Sequence, residues 1–252
     1  MRLLAAILYG ALQGLTEFLP VSSSGHLAYA ARLMHLETGA LGLAVAAHVG
    51  TLIAVVWYYR QSLAGFVASP APDRGRRLRA FAWALLATVP PALVLSGPAE
   101  AAFGRPLLVA VGFLVTSLLL LLLARLPQHG RGAPDAWDAL LIGATQGIAV
   151  WPGLSRSGST IATARLLGIG PEGAAEFTFL LSIPTVLAAL GRELYRGGLG
   201  GAPWPQLVAA AGAAAVVGIA GLRWVLGLLR RGRLSWFAVY TLVLAGVGLW
   251  LG

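Results

Sequence analysis

The sequence predicts an all-α polytopic membrane protein, an inverted-topology repeat with two re-entrant helical hairpins and about six transmembrane helices. Three observations carry that prediction. Composition comes first: 58% of the 252 residues are hydrophobic and only 11% charged, with a mean hydropathy of +0.80, where a soluble domain carries about 25% charged residues. Next, apolar runs recur along the chain at 40–59, 80–95, 106–124 and 206–229, each about long enough to cross a hydrocarbon core of ~30 Å. Last, the chain contains itself twice. AILYGALQGLTEFLPVSSSGHLAYAARL at 6–33 aligns with ALLIGATQGIAVWPGLSRSGSTIATARL at 139–166, with a constant offset of 133 and twelve of twenty-eight positions identical. Shared alanine and leucine follow from composition; the shared QG and S-x-S-G do not.

Each element follows in order. The run 3–19 is interrupted by Glu17 and Pro20 and lacks a small-residue cleavage site, so it reads as a helix rather than a signal peptide. With 26–34 it forms a helix–break–helix, and 139–150 with 159–167 forms the second copy. The later members are too short to span at about 1.5 Å per residue, so each pair is expected to enter and leave by one side. The 60–79 loop carries five arginines, 125–131 two and 230–233 three, and the positive-inside bias places all three in the cytoplasm. Then 40–59 runs inward, 80–96 outward and 106–124 inward; 139–168 re-enters from inside, 174–191 runs outward, 206–229 inward and 236–251 outward. Both termini fall outside, and Arg2, Arg192 and Arg196 go against the bias. The result is a single integral membrane domain, 1–252, whose repeats of roughly 1–130 and 131–252 have opposite orientations.

Charge and cysteine usage exclude several classes. All eighteen cationic residues are arginine and the net charge is +9, but they sit in short segments between spans, which excludes nucleic acid as a partner. The 74–79 stretch reads as a solvated loop touching anionic lipid. With no cysteine there is no disulfide, thiolate metal site or cysteine nucleophile. Tryptophans 57, 83, 204, 236 and 250 read as interfacial belt residues.

The two hairpin tips, Pro20–Gly25 and Pro152–Gly158, are expected to meet. Each opens a helix with serines, the preferred N-cap residues. Two helix N-termini aimed at one spot make an anion site; Ser22, Ser24, Ser155 and Ser157 are its candidate phosphate contacts, and Arg156 supplies a planar fork for bidentate contact. Ser23 and His26, three apart, can share a helix face, a pairing that activates a hydroxyl nucleophile or protonates a leaving group. Glu17 can orient that histidine or bind a divalent cation. A serine alone is more often a mere cap, and a lone membrane histidine such as His48 reads as packed or interfacial. Glu37, Glu172 and Glu176 form no constellation and read as structural.

QGLTEFLPVSSSGH at 13–26 together with WPGLSRSGST at 151–160 closely resembles the bacterial undecaprenyl-diphosphate phosphatases, the bacitracin-resistance family, and the resemblance covers essentially the whole chain. It implies hydrolysis of the terminal phosphate of undecaprenyl diphosphate, giving the monophosphate carrier of cell-wall synthesis. It also implies the bacterial plasma (inner) membrane, a site open to the periplasmic side, and a divalent cation, Mg²⁺ or Ca²⁺. By motif position Glu17, Ser23 and His26 fall on the family's catalytic acidic, hydroxyl and imidazole positions, and Arg156 on its phosphate-binding arginine. At the first motif position, where the family carries glutamate, this chain has Gln13, which offers a metal an uncharged carbonyl oxygen. Ser23 or His26 as the attacking group stays open, with Ser23 preferred and His26 as its base and then acid. The expected partners are the polyprenyl diphosphate and membrane lipids, and the sequence allows a homodimer. A flippase for polyprenyl phosphate would need the same anion pocket but no nucleophile. The PSGH-type lipid-phosphate phosphatases are excluded, because the chain has no lysine and no histidine after His129. A mere scaffold would leave the buried polar cluster unexplained.

Overall fold

The computed structural model describes residues 3–33, 40–196 and 202–252, which leaves Arg2 and Glu37 outside the described residues. It comprises eleven helices among those residues: α1 Leu3–Phe18, α2 Ser23–Leu33, α3 Ala40–Tyr58, α4 Arg60–Ala68, α5 Ala71–Phe103, α6 Pro106–Leu123, α7 Ala136–Ile148, α8 Arg156–Leu166, α9 Pro171–Tyr195, α10 Trp204–Arg230 and α11 Ser235–Leu251. The protein is a multi-pass helical membrane protein. Four helices are long and apolar enough to span, five if the bent pair α3–α4 counts as one more, and α11 is a shorter apolar helix of 17 residues. Large side chains face outward, Leu93 and Val94 among them, as lipid allows and water does not.

Proline places several helix starts. α5, α6, α9 and α10 carry it in the first turn, where the missing N–H has no intrahelical acceptor to lose. One expectation is corrected here. The arginine-rich stretch 60–79 is not a loop: it is α4 plus the first turns of α5, with only residues 69–70 between them. Arginine is a good helix former, Pro72 sits in the first turn of α5, and the Arg74 guanidinium donates to the Val67 carbonyl at 2.8 Å, tying the two helices. The span expected at 80–95 therefore lies inside a 33-residue helix that also contains Pro90, Pro91 and Pro98.

The glycines common to the two sequence copies have a packing reason. A Cβ on Gly10 or Gly14 of α1 would lie 2.1 or 2.5 Å from the carbonyl oxygens of Ala210 and Ala214 on α10. On Gly143 or Gly147 of α7 it would lie 2.0 or 2.3 Å from those of Ala84 and Thr88 on α5. Each copy's opening helix thus presses a G-x-x-x-G face onto a small-residue stripe of a long helix from the other half of the chain. The α7–α8 pair also returns to where it began, since Arg131 N–H donates to Gly168 O at 2.8 Å and Gly170 N–H donates to Arg131 O at 2.7 Å.

The two breaks touch. Ser157 Oγ donates to Leu19 O at 3.1 Å, and a Cβ on Gly25 would come within 3.0 Å of Gly153 Cα. α6 holds the second break: Thr116 Oγ donates to Gly153 O at 2.8 Å and accepts from Ser155 N–H at 2.9 Å. Gly153 has φ +87, a conformation glycine adopts without steric cost.

Candidate active site

The two breaks close with the same local chemistry. Ser22, at φ +64, accepts from Gly25 N–H through its Oγ at 3.3 Å and lies 3.1 Å from Ser24 Oγ. Ser155 Oγ accepts from Gly158 N–H at 3.1 Å and lies 3.3 Å from Ser157 Oγ. Both are capping arrangements at a helix N-terminus, and the other first N–H groups of α2 and α8 have no intrahelical partner.

Between the breaks sits Glu17, 8% exposed at the end of α1. Its Oε1 is ion-paired with the Arg156 guanidinium. Its Oε2 accepts from Ser23 Oγ at 2.6 Å and from Gln13 Nε2 at 2.7 Å. Ser23 and Arg156 stand at equivalent positions of the two copies, 133 apart, and converge on one carboxylate from opposite hairpins. Arg156, Ser23 and Ser24 are half-buried, whereas Ser22, Ser155 and Ser157 are buried. The candidate phosphate contacts therefore divide by exposure: Ser24 and Arg156 are the half-buried ones, while the buried Ser22, Ser155 and Ser157 also serve the caps and the contact between breaks.

The structure does not bring His26 to Ser23. The imidazole folds back along its own helix, so that Nδ1 meets the Ser22 carbonyl at 2.7 Å and Nε2 meets the Tyr240 hydroxyl at 2.7 Å. Its ring stacks on Tyr240 and meets Phe113 edge-on. Nor does Glu17 orient His26, because both imidazole nitrogens bond elsewhere. The i,i+3 spacing allowed the Ser23–His26 pair; the nearer carbonyl and carboxylate acceptors took each member separately. Tyr240 is the residue the sequence did not flag, an ordinary apolar-span tyrosine 214 positions away. His48 Nδ1 donates to Ala44 O at 2.8 Å within its own helix.

A divalent cation fits these donors in kind. Gln13 Oε1 is buried with no hydrogen-bond partner, beside a carboxylate, and hard cations take oxygen ligands and complete their shells with water or phosphate. Among the described residues no group of three or more His, Asp or Glu forms a closed protein cage.

The sequence profile of the family described as bacitracin resistance protein BacA matches residues 6–247. The chain is 39% identical over 258 residues to a protein of Syntrophotalea carbinolica named undecaprenyl-diphosphatase, covering 98% of each. It is 38% identical over 269 residues to one of Salinibacter ruber with the same name, again covering 98% of each. A relative so named from Desulfatibacillum aliphaticivorans is 37% identical over 262 residues, covering 95% of each.

Proposed function

We propose how the site works from the premise that the chain belongs to the bacitracin resistance protein BacA family. The enzyme hydrolyses a phosphoric anhydride, converting undecaprenyl diphosphate to undecaprenyl phosphate and inorganic phosphate. One observation supports the residue-level reading above all: the Glu17 carboxylate, held by an arginine from one hairpin and a serine from the other.

In the free enzyme Glu17 occupies the Arg156 fork. A terminal phosphate entering from the half-buried side takes that fork in a bidentate contact, with Ser24 Oγ and the free N–H groups of α2 and α8 around it. Ser23 Oγ, already donating to Glu17 Oε2, attacks phosphorus and passes its proton to that oxygen. The anhydride bond breaks, polyprenyl phosphate leaves with the electron pair, and a seryl-phosphate remains. Water then attacks it, giving its proton to His26 Nε2, and Ser23 Oγ recovers its own from Glu17. Glu17 thus takes the role of base first expected of His26, because Ser23 points at the carboxylate. Glu17 and Gln13 Oε1 would hold the divalent cation, Mg²⁺ or Ca²⁺. When bound, it would neutralise diphosphate charge.

The arginine distribution supports a plasma (inner) membrane enzyme with this site opening to the periplasmic side, and the exchanged packing of α1 and α7 supports an inverted repeat. The lipid tail stays in the bilayer while the headgroup reaches the hairpin junction. A flippase has no use for a serine aimed at a carboxylate, so transport is the weaker reading.

The test is phosphate release from a long-chain polyprenyl diphosphate by purified protein in detergent, with and without Mg²⁺ or Ca²⁺. Metal-dependent release by wild type, lost in Ser23→Ala and Arg156→Ala, is the expected result. Turnover retained in Ser23→Ala would move the nucleophile elsewhere.

A further inference from the structure

Both nitrogens of the His26 ring are engaged. The Ser22 backbone carbonyl only accepts, so Nδ1 carries the proton that fills the 2.7 Å contact. In the neutral ring this leaves Nε2 as a lone pair, and the Tyr240 O–H donates to it at 2.7 Å. The two rings lie 5.6 Å apart with planes inclined at 20°, and Phe113 meets the imidazole at 5.6 Å and 83°. His26 is 8% exposed and Tyr240 44% exposed, so the phenol is the more accessible member of the pair. No other side chain holds Nε2 among the described residues.

We propose that Tyr240 is the positioning residue of His26 in the hydrolysis described above, an inference that rests on that reading. Its ring fixes the imidazole plane. Its O–H holds the Nδ1–H tautomer with the Nε2 lone pair aligned. As water attacks, the Tyr240 O–H proton moves onto Nε2 and the phenol oxygen takes the water's proton, so that the Tyr240 oxygen then accepts from the new Nε2–H. One N–H and one phenol O–H bond form, one water O–H and one phenol O–H bond break, and Tyr240 ends neutral. α11, late in the second half of the chain, thereby completes a group carried by the first hairpin.

The test is Tyr240→Phe, which keeps the stacked ring and removes only the hydroxyl. The variant should keep KM within about twofold and lose roughly 10- to 100-fold in kcat, the range for losing a partner that orients a working histidine. In protein labelled with ¹⁵N-histidine, which has four such residues, the His26 signals are identified by their loss in His26→Gln. Their Nε2 resonance should move away from its hydrogen-bonded position in Tyr240→Phe while Nδ1 stays protonated. Wild-type kcat in Tyr240→Phe overturns the proposal whatever the spectrum shows, and so does a raised KM with unchanged kcat, which would mean direct substrate contact. An unmoved Nε2 signal overturns it as well. If wild-type protein releases no phosphate, the phosphatase reading fails, and the ring spectrum alone decides whether Tyr240 positions His26.

Discussion

At the residue scale the informative group is Glu17. A carboxylate deep in an apolar protein is costly unless paired, and here it is paired on both oxygens. Removing one partner differs from removing the carboxylate. Arg156→Ala leaves a buried charge without its counterion, a change that commonly costs about 3–5 kcal/mol, so it should lower the melting temperature in detergent as well as abolish turnover. Glu17→Gln keeps the side chain's shape but replaces one acceptor oxygen with a donor, and should lose roughly 100-fold or more in kcat, as removal of a positioned base does. The serines separate in the same way. Ser155→Ala should cost about 1 kcal/mol of stability, the worth of a cap, with activity less affected than in Ser23→Ala. The sequence marked all of these residues, but it could not rank them. Spacing along a helix says which side chains share a face; it does not say which acceptor each one meets.

At the scale of elements, the two helix–break–helix pairs and most helix bounds were legible. The 106–124 run became α6 Pro106–Leu123 and the 40–59 run became α3 Ala40–Tyr58, because proline, glycine and an apolar run act locally. The 60–79 stretch was misread because arginine clusters report topology and not conformation. The shared glycines were visible as a repeat, yet their purpose needed the partner helix. Gly143→Ala on α7 would drive a methyl to 2.0 Å from the Ala84 carbonyl, and overpacking of this sort typically costs about 1–3 kcal/mol. Thermal unfolding should show that loss for Gly143→Ala and Gly10→Ala. Gly212→Ala and Gly246→Ala, where a Cβ meets nothing within 4 Å, should unfold like wild type.

At the scale of the whole molecule, the site exists only where the two halves meet: the first hairpin brings Glu17, Ser23 and His26, the second Arg156, and the last helix Tyr240. The proposed orientation can be checked directly because the chain has no cysteine. Arg77→Cys should react with a membrane-impermeant maleimide only after the cells are opened, and Trp204→Cys in intact cells. Labelling of Arg77→Cys from outside would invert the topology. Composition, apolar run length and the two motifs were enough to determine a helical membrane protein and its family resemblance, and they named Glu17, Ser23 and Arg156, which the fold brings together, since each is written in local sequence. The tertiary structure alone decided that Ser23 faces Glu17 rather than His26, that Ser22 and Ser155 cap their helices, and that the Tyr240 hydroxyl meets the imidazole. Those are choices among competing hydrogen-bond acceptors, and such a choice is made only when the folded chain brings a donor within reach of one of them.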